Sequence, residues 1–151
     1  MGANPDFRDL FKLLHAHRVE FLVVGAYASI YYTLPRYTKD IDIWINPTKP
    51  NAQRVCRALE EFGAPLTGVG IEDFTDRKLI YQIGIEPNRV DILMGLPGLR
   101  FPTAWKNRTK STYGGVAINL LGRKDLIKSK IRAGRPLDLI DAEALRRGTS
   151  A

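Results

Sequence analysis

Asp40-Ile41-Asp42 holds the densest chemistry in this chain. The two carboxylates flank one isoleucine at the head of Ile41-Asp42-Ile43-Trp44-Ile45, a stretch rich in β-branched residues that reads as a strand. Strand side chains alternate between faces, so Asp40 and Asp42 point one way and Ile41, Ile43 and Ile45 the other. A rise of about 3.3 Å per residue sets their Cα atoms about 6.5–7 Å apart. Like charges that close need solvent or a cation to screen them, and two hard oxygen donors with this reach suit Mg²⁺. The alternative is a strand whose outer face is simply wet.

The residues upstream weigh toward chemistry. Phe21-Leu22-Val23-Val24 is a short β-prone run that stops at Gly25 and passes into Ala26-Tyr27-Ala28-Ser29-Ile30-Tyr31-Tyr32, a short helix. Strand, glycine and helix N-terminus together present backbone N–H groups and the positive end of a dipole where a phosphate can sit. Read structurally, Gly25 is only a tight turn. Placed ahead of the carboxylate strand, it sets an anion site beside a cation site, as a nucleoside triphosphate with Mg²⁺ requires.

Gly25-Ala26-Tyr27-Ala28, then Arg36, Thr38 and Asp40-Ile41-Asp42, resembles the signature of nucleotidyltransferases of the DNA polymerase β superfamily. The Arg-x-Thr element resembles the bacterial branch that contains AbiEii-type toxins and related minimal nucleotidyltransferases. Asp91, in Arg89-Val90-Asp91-Ile92-Leu93, takes the place of that family's third carboxylate. Lys130-Ile131-Arg132-Ala133-Gly134-Arg135, followed by Asp138 and Asp141, is similar to the tail of the same branch. Ala26 stands where the family has glycine or serine, so a hydroxyl is absent while the backbone N–H remains.

The resemblance implies Mg²⁺-dependent transfer of a nucleoside monophosphate from an NTP such as ATP to a hydroxyl. Two Mg²⁺ ions would be held by Asp40, Asp42 and Asp91, the catalytic set, with the NTP as substrate. Gly25 and Ala26 would hold phosphates through their N–H groups, with Arg36, Thr38, Lys130 and Arg135 as further nucleotide-binding residues. Arg135 pairing instead with Asp138 or Asp141 in the last helix is the competing reading. The acceptor would be tRNA or a partner protein, in a toxin–antitoxin or phage-defence setting. Two other classes stay open: a non-catalytic nucleotide- or RNA-binding module of the same fold, and a small-molecule nucleotidyltransferase of the antibiotic-modifying type.

Charge separates the chain into two parts. Residues 1–96 carry a net charge of −1 and residues 97–151 a net of +8. Arg123, Lys124, Lys128 and Arg132 belong to a basic helical segment over about 121–147 that could attract RNA or an acidic protein, or could be a solvated helix face. Cys56 is the sole cysteine, which excludes an internal disulfide. No apolar run is long enough to span a bilayer and no signal-peptide core opens the chain, so no membrane role and a cytoplasmic location are expected. His15 and His17 lie two apart on a helix, on different faces, and make a poor metal pair.

The elements that must position these residues can be read in order. Asn4-Pro5 starts a helix to about His17; a strand at 20–24, a helix at 25–33 and the carboxylate strand at 40–45 follow. Thr48 and Pro50 open a second long helix that Gly63 ends, and 64–77 reads as a loop. Leu79–Ile83 and Val90–Met94 form a hairpin around Glu86-Pro87-Asn88, and 95–115 reads as irregular. A strand at 116–121 precedes short helices at about 123–133 and 136–147, split by Gly134 and Pro136. The expectation is one α+β domain over 1–151, a mixed sheet with helices mainly on one face. By resemblance, it is the polymerase β-like nucleotidyltransferase core.

Overall fold

The computed structural model describes residues 3–33, 40–84 and 88–147. Arg36, Thr38 and the expected turn at Glu86 and Pro87 lie outside the described residues. Six helices and six strands follow in the order α1 (Pro5–Ala16), β1 (Phe21–Val24), α2 (Gly25–Tyr32), β2 (Ile41–Ile45), α3 (Lys49–Phe62), β3 (Ile80–Ile83), β4 (Val90–Leu93), α4 (Phe101–Lys106), β5 (Thr109–Tyr113), β6 (Val116–Leu120), α5 (Arg123–Ala133) and α6 (Pro136–Arg146), with a 3₁₀ turn at Ile71–Thr75. The strands form one sheet in the order β3-β4-β2-β1-β6-β5. β2 runs parallel to β4 and antiparallel to β1, and β6 runs parallel to β1. The mixed α+β architecture is the expected one.

Local chemistry accounts for the helix bounds. The Asn4 side chain accepts from the N–H groups of Asp6 and Phe7, and Pro5 occupies the first turn of α1, where a missing donor costs nothing. Thr48 caps α3, and Gly63 ends it in a left-handed conformation. The segment 95–115, expected to be irregular, contains α4 and β5. Its Gly/Pro content sits in the turn before α4, and β5 (Thr-Lys-Ser-Thr-Tyr) is an edge strand paired only with β6, so it lacks the apolar run of a central strand.

The strand register divides the sheet into two unlike faces. Phe21, Ile43 and Ile92 point to the face covered by α1 and α3, where Phe11 stacks on Phe21 at 5.9 Å between ring centroids. On the opposite face the register lines up Val24, Asp42 and Asp91 in one row and Leu22, Trp44 and Leu93 in the next. α2 packs over the first row, and Phe101 of α4 meets Trp44 edge-on at 5.1 Å. Asp42 and Asp91 thus lie on the face that α1 and α3 leave uncovered.

One buried side chain clamps the far end of this arrangement. Asn51, 1% exposed, accepts from the Glu20 N–H at 2.8 Å and donates to the carbonyls of Glu20 (3.1 Å) and Asn46 (2.8 Å). It ties the start of β1, the end of β2 and the first turn of α3 together. Asn51→Ala leaves the Glu20 N–H and the Asn46 carbonyl, both part-buried, without this partner, each at a cost of about 1–3 kcal/mol, while the Glu20 carbonyl keeps the Asn46 N–H at 3.1 Å. Urea unfolding should show a loss of about 2 kcal/mol or more, with the m-value unchanged.

Candidate active site

Asp42 and Asp91 are direct neighbours across parallel strands, in register and on the same face. Strands lie about 4.8 Å apart, so two carboxylates meet side by side on a half-buried surface. Burial, then Asp91, then Asp40 push the Asp42 carboxyl up to about 6; Arg89 and Lys130 act in the opposite direction. Asp40 lies just ahead of β2, where its Oδ1 accepts from the Arg89 N–H at 3.3 Å. The structure therefore gathers Asp40, Asp42 and Asp91 at the β2–β4 end of the sheet.

Gly25 forms the other wall. Its φ of +67° lies in the left-handed region, and a Cβ built on it would sit 2.0 Å from Asp42 Oδ2. Glycine is thus required twice, for the turn into α2 and for the room that the carboxylate occupies. Ala26 follows in the first turn of α2, whose early N–H groups have no acceptor within the helix and whose N-cap, Val24, supplies no side-chain bond. The helix start and the carboxylate pair are in contact through Gly25 and Asp42, so an anion-seeking and a cation-seeking surface adjoin.

Two cations attend the carboxylates. Arg89 Nε lies 3.0 Å from Asp91 Oδ1, with both side chains largely shielded from solvent. Lys130 of α5, its side chain 14% exposed, is held by Asp141 Oδ2 at 3.3 Å and Asp138 Oδ1 at 3.7 Å, and its charge reaches Asp42. Arg135 goes elsewhere: it grips Asp138 through Nε–Oδ2 at 2.6 Å and Nη2–Oδ1 at 3.1 Å, with its side chain 77% exposed. That ion pair holds the Asp138 carboxyl below the usual range, first through the hydrogen bond from Arg135. Of the two readings of Arg135, the geometry matches pairing within the tail.

Sequence reasoning passed over Arg89 as a site residue, although the alternation Arg89-Val90-Asp91 puts it on the Asp91 face. The sequence offers Asp138 and Asp141 as partners of Arg135; in the structure they also hold Lys130 beside the site. Among the described residues no three His, Cys, Asp or Glu side chains are arranged to hold a metal ion. Arg89 explains part of this, since it occupies Asp91 as a counter-ion. The donor chemistry nonetheless fits a hard divalent cation. Two adjacent carboxylates, one of them raised by burial and then by its neighbours' negative charge, form a site short of positive charge.

Two outcomes test this geometry. Gly25→Ala should cost at least about 2 kcal/mol in urea unfolding, because a strained φ and a steric overlap with Asp42 add. The second concerns pH without divalent cation. A carboxyl raised from 3.8 to about 6 keeps its proton more readily in the folded state, so folding stability falls as pH rises from about 4 through 6. Asp42→Asn should be no more stable than the parent at pH 4 and about 2–3 kcal/mol more stable above pH 7. A stability gain that does not change with pH would refute this origin.

No family model matches the chain, and no curated protein matches it in sequence. Solved structures do match. A putative nucleotidyltransferase of Thermotoga maritima superposes with a TM-score of 0.60 at 18% identity, over 93% of this chain and 88% of that one. The lincosamide antibiotic adenylyltransferase LnuA, solved with lincomycin bound, gives 0.57 at 15% identity over 97% and 98%. The antibiotic-resistance factor ANT(2'')-Ia gives 0.56 at 10% identity over 93% and 79%. The agreement spans nearly the whole chain, and the protein has the fold of the nucleotidyltransferases.

Proposed function

We propose that the protein is a nucleotidyltransferase that moves a nucleoside monophosphate from an NTP to an acceptor hydroxyl. The observation that carries this reading is Asp42 beside Asp91 in register, with the Gly25 turn and the start of α2 against Asp42. Phosphates would meet the N–H groups of Gly25 and Ala26 at the helix start, where the peptide dipoles favour negative charge. Lys130, already positioned by Asp138 and Asp141, adds a fixed positive charge on that side. Arg36 and Thr38 keep the nucleotide-binding role that the family resemblance implies, and Arg135 orders the tail that carries Lys130.

Asp40, Asp42 and Asp91 are the proposed holders of Mg²⁺, which when bound offsets their charge and that of the triphosphate and stabilises the leaving pyrophosphate. The acceptor oxygen attacks the α-phosphorus, a new P–O bond forms, and the bond to the β-phosphate oxygen breaks with its electron pair leaving on pyrophosphate. Asp91 takes the hydroxyl proton. Arg89, paired with Asp91 at 3.0 Å, brings positive charge close to where negative charge grows at the phosphorus.

The expectation of an RNA or acidic-protein acceptor rests on the basic C-terminal third. Several of those charges are engaged internally: Lys130 and Arg135 on Asp138, Arg147 on Glu143 at 3.5 Å, and Arg108 over the Trp105 ring at 4.0 Å. No helix among the described residues is long and apolar enough to cross a membrane.

The decisive comparison is Asp91→Ala against the parent, with labelled NTPs, Mg²⁺ and pooled RNA, protein and small-molecule acceptors. The variant should still bind nucleotide through Asp40, Asp42 and the Gly25 turn, while transfer falls by several orders of magnitude. Equal turnover in both proteins would remove Asp91 from the chemistry. Nucleotide binding without transfer by the parent to any pool would favour the non-catalytic module.

A further inference from the structure

A cleft of about 750 Å³ opens on the active face of the sheet, one residue row beyond the carboxylates. Its floor includes Trp44 and Leu93, which pair in register as Asp42 and Asp91 do two residues earlier. Strand geometry sets that step at about 7 Å, the distance that a molecule in the cleft would have to bridge to the carboxylates. Met94, Leu99 and Phe101 continue the apolar lining, and Leu79 and Ile80 at its edge are 40% and 56% exposed.

Two further features say what the cleft is built to hold. Trp44 is 1% exposed, yet its indole Nε1–H has no acceptor among the described residues. A buried donor left unpaired is costly, and an oxygen of a bound molecule would relieve it. The charged side chains lining the cleft are Arg77, Lys78 and Arg100, and the described lining contains no Asp or Glu. A cationic guest would meet three like charges.

We propose that this cleft is the acceptor subsite and that it takes a small, flat, apolar molecule carrying a hydroxyl and a negative charge. The assignment of the guest as acceptor rests on the transferase reading above; the binding chemistry of the cleft does not. The apolar body lies on Leu93 and against Phe101, an oxygen accepts from Trp44 Nε1–H, and the anionic group faces Arg77 and Arg100. The volume lies within the range of sites that enclose drug-sized ligands. Polycationic acceptors are disfavoured by Arg77, Lys78 and Arg100 along the cleft.

The test uses the whole chain with Mg²⁺ and without nucleotide, so that the carboxylates one row away do not themselves repel the anionic probe. The indole N–H resonance of Trp44 is assigned by its persistence in Trp105→Phe. The probes are 6-hydroxy-2-naphthoate and the cation 2-naphthylmethylammonium, which differ in charge on the same ring system. The naphthoate should shift the Trp44 resonance saturably and bind at least tenfold tighter than the ammonium. Ile80→Glu, on an exposed edge position, should narrow that preference, since it offsets one of the three positive charges lining the cleft. This pattern supports the subsite even where the transfer assay fails. An unmoved Trp44 resonance at millimolar probe, or equal binding of the two charges, overturns it even where transfer proceeds. In protein active on the hydroxynaphthoate with an NTP and Mg²⁺, Ile80→Glu should raise KM for that acceptor at least tenfold and leave KM for the NTP unchanged; an unchanged acceptor KM overturns the assignment.

Discussion

Two carboxylates held side by side on adjoining strands, half out of water, set the terms for the rest of this structure. Asp42 and Asp91 repel one another, and burial sharpens the repulsion. The sheet tolerates the pair because cations are stationed around it. Arg89 sits on Asp91, and Lys130 stands off Asp42 on a helix whose own acids anchor it. Such an arrangement costs stability, because the fold maintains a local deficit of positive charge.

The two faces of the sheet divide the work. One face buries Phe21, Ile43 and Ile92 under α1 and α3, and supplies the apolar burial that offsets chain entropy. That security allows the other face to keep charged groups, a glycine without room for a methyl group, and an unpaired indole donor. Asn51 clamps the strand ends from the opposite end of β1 and β2, so the carboxylate row is positioned by a register fixed elsewhere.

The C-terminal helices belong to the site rather than being an appendage. Arg135 grips Asp138, Asp138 and Asp141 grip Lys130, and Lys130 faces Asp42. This relay turns part of an excess of positive charge, visible as a composition bias, into one fixed cation. The spacing Lys130…Asp138…Asp141 therefore has a geometric reason: α5 and α6 fold back on one another across Gly134, whose left-handed conformation permits the tight reversal.

Much of this was legible in the residues alone. Alternation around Ile41, Ile43 and Ile45 placed the carboxylate on a strand, and Gly25 after Phe21-Leu22-Val23-Val24 marked a strand-to-helix turn. Both are local signals, carried by backbone periodicity and by the φ freedom of one residue. Capping residues bounded α1 and α3 for the same reason. The hairpin partner strands β3 and β4 also followed from short-range pattern. α4 and β5 did not, because α4 is a six-residue helix and β5 an edge strand, and neither has the apolar period that reveals longer elements. That Asp91 stands next to Asp42 required the parallel pairing of β2 with β4, a contact across about 50 residues that no local pattern specifies. The roles of Arg89, Asp138 and Trp44 depended on it too: an ion pair, a lysine clamp and an unsatisfied donor exist only once the register decides which side chains share a face.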